Sequence, residues 1–144
     1  MAPSVIRSPK TSDADAIVPL LAELGYPTTS EEVVSRLDRL AKAESCLVLV
    51  AEKDNEVVGL ITCHMFASIH STEPVAWLTT LVVHDETQGI GIGRELVTAV
   101  EKWARENGAV RISLTSGNHR HGAHKFYERC GYESSGVRLT KVLI

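Results

Sequence analysis

The chain has 144 residues, 44% hydrophobic and 23% charged, a composition that fits one folded domain and excludes a disordered or fibrous chain. A net charge of −3 gives no electrostatic footprint for nucleic acid, and the apolar runs are strand-length, too short to span a membrane. Met1-Ala2-Pro3-Ser4 shows no secretory pattern, and Cys46, Cys63 and Cys130 are odd in number with no CxxC pair; a cytoplasmic protein with reduced, buried thiols is expected.

In chain order, Val5-Ile6-Arg7 predicts a short first strand. Thr11-Ser12-Asp13 offers cap residues for a helix carrying Ile17, Leu20, Leu21 and Leu24 at helical spacing until Gly25; Pro19 marks a kink or a late start. Ser30-Glu31-Glu32 opens a second helix with Val33, Val34, Leu37, Leu40 and Ala41 on one face. Residues 47–51 and 57–66 read as a hairpin around a polar turn, and after a loop at 70–74 a third strand runs through 75–83. Residues 91–107 predict a long helix with an apolar stripe of Leu96, Val97, Val100, Trp103 and Ala104, all read as core, and Gly108 stands where a helix C-cap belongs. A strand at 110–115, a helix at 119–130 and two last strands, 132–135 and 137–143, complete a mixed α+β order; those final strands are expected to lie exposed and able to pair between protomers.

The chemistry concentrates at residues 81–93, where Leu81-Val82-Val83 is followed by a polar turn and then by Gln88-Gly89-Ile90-Gly91-Ile92-Gly93-Arg94 at a helix start. Glycines let backbone N–H groups converge without Cβ atoms in the way, and the helix dipole favours an anion there, most simply a phosphate. A P-loop requires Gly-Lys-Ser/Thr, but Gly93 is followed by Arg94-Glu95. The dinucleotide fingerprint requires GxGxxG in a first βαβ unit with an acid about 20 residues on, and that spacing is absent. A glycine-eased turn with no ligand must account for three alternating glycines, which are costly in backbone entropy.

Gln88-Gly89-Ile90-Gly91-Ile92-Gly93 resembles the Q/R-x-x-G-x-G/A motif of the GNAT superfamily, the acetyl-CoA-dependent N-acetyltransferases, with Asp85 where that family often has proline. Downstream, Asn118, Ala123, Phe126-Tyr127 and Gly131-Tyr132 are similar to its N-x4-A-x2-F/L-Y-x3-G-F/Y block. The resemblance implies a single GNAT-like domain over residues 1–144, with a central mixed, mostly antiparallel sheet of about six or seven strands and about four helices. It also implies acetyl-CoA as co-substrate. Backbone groups of Leu81, Val82 and Val83 would pair with its pantetheine arm, and N–H groups of Gln88, Gly89, Ile90, Gly91, Ile92, Gly93 and Arg94 would hold its pyrophosphate. Asn118 would contact it near the splayed strands, and Tyr127 would protonate the departing thiolate. That last role suits a phenol of pKa about 10, although Tyr127 beside Phe126 also reads as a core aromatic.

The acceptor half is less legible. An amine of pKa about 10.4 costs about 4–5 kcal/mol to deprotonate at neutral pH, so a base is expected. Many relatives carry a glutamate on the strand before the glycine loop, but Val75-Ala76-Trp77-Leu78-Thr79-Thr80 has no carboxylate. Glu73, His84, His70, His64 and a water chain remain as candidates, and Tyr26, Phe66 and Trp77 are candidate pocket walls or packing. His119, His121 and His124 lack the spacing and supporting ligands of a metal site, so no metal is expected. The resulting expectation is direct acetyl transfer to a primary amine of a small molecule or peptide in a ternary complex, with no nucleic-acid or membrane partner and with a homodimer as one assembly. A non-catalytic acyl-CoA-binding module and an enzyme using another acyl-CoA are the alternatives.

Overall fold

The computed structural model describes residues 3–87, 89–115 and 121–144, with only the backbone of His121 and Gly122. The chain divides into two compact units, Met1–Ser113 and Leu114–Ile144.

The first unit is built on a sheet. Strand β1 (Val5–Arg7) leads into helices α1 (Ala14–Glu23) and α2 (Ser30–Ala41), then into strands β2 (Cys46–Lys53), β3 (Glu56–Ser68) and β4 (Ser71–Val83), helix α3 (Ile92–Glu106) and strand β5 (Ile112–Leu114). The strands lie in sequence order from β1 to β5, and the first four pair antiparallel. Five strands are thus described where the sequence suggests about six or seven. The loop expected at 70–74 is mostly strand, because ladder hydrogen bonds carry β3 out to Ser68 and start β4 at Ser71 over polar positions. Pro74 is tolerated inside β4 because it falls where the register with β3 slips, between the Phe66 and Ser68 pairings.

Alternation along β3 gives the sheet two apolar faces. Leu60 joins Val50 and Val82 in a core with Ala14, Ile17 and Leu20 of α1 and Val33 of α2. Gly59 lies on the opposite face under α3: a Cβ there would stand 3.0 Å from Leu96 Cδ1 and 3.4 Å from Ile92 Cγ2. The stripe on α3 buries Leu96, Val97, Val100 and Ala104, whereas Trp103, expected in the core, is only half-buried at its margin. Helix α2 starts on a capping box in which Thr29 and Glu32 satisfy each other's backbone N–H groups.

One ion cluster fastens the first turn of the chain. The Arg7 guanidinium donates to both carboxylate oxygens of Asp13 (2.9 and 3.0 Å) and through Nε to Glu52 (2.9 Å), and the Lys10 N–H donates to Asp13 at 2.6 Å. Asp13 is buried, and Arg7 is the main reason its carboxyl is held below the ordinary carboxylate range.

The second unit contains helix α4 (His121–Arg129). Gly131 (φ +94°) closes it: the Gly131 N–H donates to Glu128 O and the Tyr132 N–H to Tyr127 O (3.0 and 2.9 Å). Among the described residues no strand follows: 132–135 and 137–143, where two strands are expected, pair with none of them, and alternation marks a segment fit for a sheet but only pairing makes a strand.

Candidate active site

The end of β4 and the start of α3 form the part of the site that the sequence marks. Leu81, Val82 and Val83 pair with Ile61, Leu60 and Gly59 of β3, with Val82 buried and its neighbours half-buried. The chain leaves β4 through a single 3-10 turn (Asp85–Thr87), held by the Thr87 N–H and hydroxyl, both donating to His84 O at 2.9 Å. Gly89 and Gly91 then adopt φ of +86° and +91°, the left-handed region that glycine enters without strain. The alternating glycines thus have a local conformational cause.

Gly91 is the N-cap of α3, and no side chain caps the helix. The first helical hydrogen bond runs from the Glu95 N–H to Gly91 O (3.0 Å). The N–H groups of Ile92, Gly93 and Arg94 therefore precede the helical ladder, and among the described residues they find no acceptor. Nothing lies within 4 Å of where a Cβ on Gly89 or Gly91 would stand. Amides without an acceptor, open space beside the glycines and the positive end of a 15-residue helix fit a pyrophosphate. Ile92, 2% exposed, pins the helix start to the sheet, while Ile90 and Arg94 are exposed. A shallow hollow of about 420 Å³ opens beside Gly91 along Arg94, Glu95, Thr98, Ala99 and Lys102. One helix face supplies its walls, so it encloses nothing.

The sequence alone does not disclose the distortion in β4. Thr62 pairs with Thr80 and Cys63 with Leu78, so Thr79 is the extra residue of a β-bulge. Its hydroxyl meets that of Thr62 at 2.6 Å and also donates to Thr62 O (3.3 Å). Two adjacent threonines in an apolar strand were the available signal. Before the bulge, β4 is tied toward β5 by the Val110 N–H to Pro74 O and the Ala76 N–H to Arg111 O (3.2 and 2.9 Å).

The candidate bases separate by position. His84 Nδ1 accepts the Glu86 N–H (3.2 Å), and Nε2 lies 4.0 Å from Glu23; five residues past the bulge, it is roughly 17 Å along the strand from Thr79. His70 sits in the exposed β3–β4 turn against Ser68 (3.2 Å), and Glu73 is exposed, accepting from Ser71 at 3.4 Å. His64 shares a face of β3 with Thr62, half-buried, opposite Trp77 on β4 and Cys46 on β2. Its Nε2 is 3.8 Å from Cys46 Sγ, and burial pushes the Cys46 thiol up, so this pair holds a thiol rather than an activated thiolate. Burial likewise raises Cys63, to about 11. Of the aromatic wall candidates, Tyr26 and Phe66 are largely exposed and Trp77 is 37% exposed.

Tyr127 lies in the second unit, buried, with its ring edge-on to Phe126 and Tyr132 at centroid distances of 5.3 and 5.9 Å. Gln88 and Asn118 lie outside the described residues, as do His119 and the His121 side chain.

Residues 15–132 match the model of the acetyltransferase (GNAT) family, and the chain belongs to it. The aminoalkylphosphonate N-acetyltransferase of Salmonella typhimurium is 32% identical over 143 residues, covering 96% of this chain and 90% of that protein. The aminoglycoside N(6')-acetyltransferase type 1 of Stenotrophomonas maltophilia is 29% identical over 133 residues, 90% and 86% of the two chains. A GNAT family acetyltransferase structure from Staphylococcus aureus superposes with a TM-score of 0.83 at 25% identity, covering 99% of this chain and all of that one. The protein is an acyltransferase that transfers an acetyl group to an amine.

Proposed function

We propose that the donor is acetyl-CoA and that the acceptor is the primary amine of a small molecule, acetylated by direct attack in a ternary complex. The observation that carries the donor assignment is the glycine-shaped, uncapped start of α3, whose first three amides find no acceptor among the described residues. Acetyl-CoA supplies a thioester whose carbonyl an amine can attack, releasing a thiolate.

The residues of this chain then divide the work. Amides from Gln88 to Arg94 bind the pyrophosphate, and backbone groups of Leu81–Val83 align the pantetheine arm. His64 takes the proton that the amine must lose, because among the titratable candidates it is the one that shares the sheet face with the bulge threonines. Trp77, opposite it, walls the acceptor. Tyr127 gives a proton to the departing sulfur, and Asn118 contacts the donor; their match to the family's downstream block supports both roles. A small amine acceptor is supported by the two relatives, whose names specify an aminoalkylphosphonate and an aminoglycoside.

The test is an acetylation screen over aminoalkylphosphonates, aminoglycosides, polyamines and peptides with several acyl-CoAs, followed by variants assayed on the best pair. His64→Gln and Tyr127→Phe are each expected to lower kcat by tenfold or more while acetyl-CoA affinity stays within twofold. Unchanged turnover in His64→Gln across the pH range would return the base to a water chain. Binding of acetyl-CoA without turnover of any amine would remove the acceptor assignment.

A further inference from the structure

Outside the glycine loop, two metal-ligating side chains of the first unit meet across neighbouring strands. Cys46 on β2 pairs directly with His64 on β3, and His64 pairs in turn with Trp77 on β4. Beside the pair the Met65 N–H donates to Ser45 O at 2.7 Å, so both side chains stand on a hydrogen-bonded ladder that fixes their spacing. Cys46 Sγ lies 3.8 Å from His64 Nε2, and both residues are half-buried. As a hydrogen bond this contact is long and weak, because a thiol is a poor donor. As a coordination span it fits. With bonds of about 2.3 Å to sulfur and about 2.0–2.1 Å to nitrogen, one ion reaches both atoms at an S–metal–N angle of about 120°.

We propose that Cys46 and His64 bind a thiophilic cation of the Zn²⁺ class, which inhibits the enzyme by occupying His64 Nε2. A thiolate and an imidazole together select such ions over Mg²⁺ and Ca²⁺, which take oxygen ligands. Binding breaks the Cys46 S–H bond and forms an S–metal bond, and the proton passes to solvent. Among the described residues no third histidine, cysteine or carboxylate completes a metal-binding group with the pair. The ion therefore keeps open positions for water, unlike the closed four-ligand shell of a structural zinc, and its binding is reversible. An ion on Nε2 holds the lone pair that would accept the proton of the amine, so turnover stops. The inhibition rests on His64 as the base; the binding of the ion does not.

The experiment titrates the intact, reduced protein with Cd²⁺, followed by the ultraviolet charge-transfer band of a cadmium–thiolate bond, and with Zn²⁺ in competition. One ion per chain is expected. Cys46→Ser and His64→Gln should each weaken Cd²⁺ binding at least tenfold, while Cys130→Ser leaves it within twofold. Should Cys46→Ser misfold, alkylation of the native protein mapped by mass spectrometry replaces it: Zn²⁺ should slow modification of Cys46 at least tenfold, and a chelator should restore it. Absence of the band, native affinity after either substitution at the pair, or alkylation of Cys46 indifferent to Zn²⁺ overturns the site. In acetylation assays Zn²⁺ should inhibit the native enzyme, and Cys46→Ser should raise the inhibitory concentration at least tenfold. An ion bound at both residues with turnover untouched overturns the inhibition, and with it His64 as the base, while the metal site itself stands.

Discussion

Gly91→Ala isolates what the glycine loop contributes, because the same helix carries its own control. Gly91 opens α3 at φ +91° and Gly108 follows its far end at φ +86°, and at both the space around a new Cβ is empty within 4 Å. An alanine at either site therefore meets no clash and suffers only the left-handed backbone cost, about 1–2 kcal/mol. For a chain of this size that lowers Tm by about 3–6 °C. The two variants should thus be equally destabilised. They should differ in donor binding, since only Gly91 is the N-cap of α3, beside the Ile92, Gly93 and Arg94 amides that precede the helical ladder. Loss of one hydrogen bond to a charged phosphate costs about 1.5–3 kcal/mol, so the Kd for acetyl-CoA should rise tenfold or more in Gly91→Ala and stay within twofold in Gly108→Ala. Gly91→Asp, which adds a negative charge at the same place, should abolish binding. Calorimetric titration and thermal melts on the three proteins decide the matter. Equal affinities for the two alanine variants would refute the placement of the pyrophosphate.

Two further outcomes test the fold around the site. Asp13→Asn leaves Glu52 as the carboxylate partner of the Arg7 guanidinium and should cost about 2–3 kcal/mol in urea denaturation at pH 7. Because the Asp13 carboxyl is held low by Arg7, its contribution is complete above the ordinary carboxylate pKa of about 4 and disappears as pH falls through the folded-state value. The gap between variant and native protein should therefore close in acid, and a gap unchanged at pH 2–3 would refute the coupling. Gly59→Val drives a branched side chain into Leu96 and Ile92, where even a Cβ stands at 3.0 Å, and should cost about 1–3 kcal/mol by overpacking. Acetyl-CoA affinity should fall with it, since Ile92 pins the helix start; a stable variant with native affinity would separate that contact from the loop.

Local rules made much of this protein readable from its sequence. Helical and strand periodicities marked the elements, and the alternating glycines announced a left-handed turn, which Gly89 and Gly91 make, because glycine's conformational freedom is a property of single residues. The resemblance in the loop and in the Phe126-Tyr127 block then pointed to the family. What the linear pattern did not contain is pairing. Thr79 is a bulge only because Thr62 and Cys63 pair with Thr80 and Leu78, and His64 is brought opposite Trp77 by the register of two strands. Gly59 matters because a helix more than thirty residues later packs onto it, and Asp13 because Arg7 and Lys10 converge on it. The last segment shows the limit most directly: its residues alternate like a strand, but a strand exists only where another backbone meets it, and the structure leaves residues 133–144 without one among the described residues.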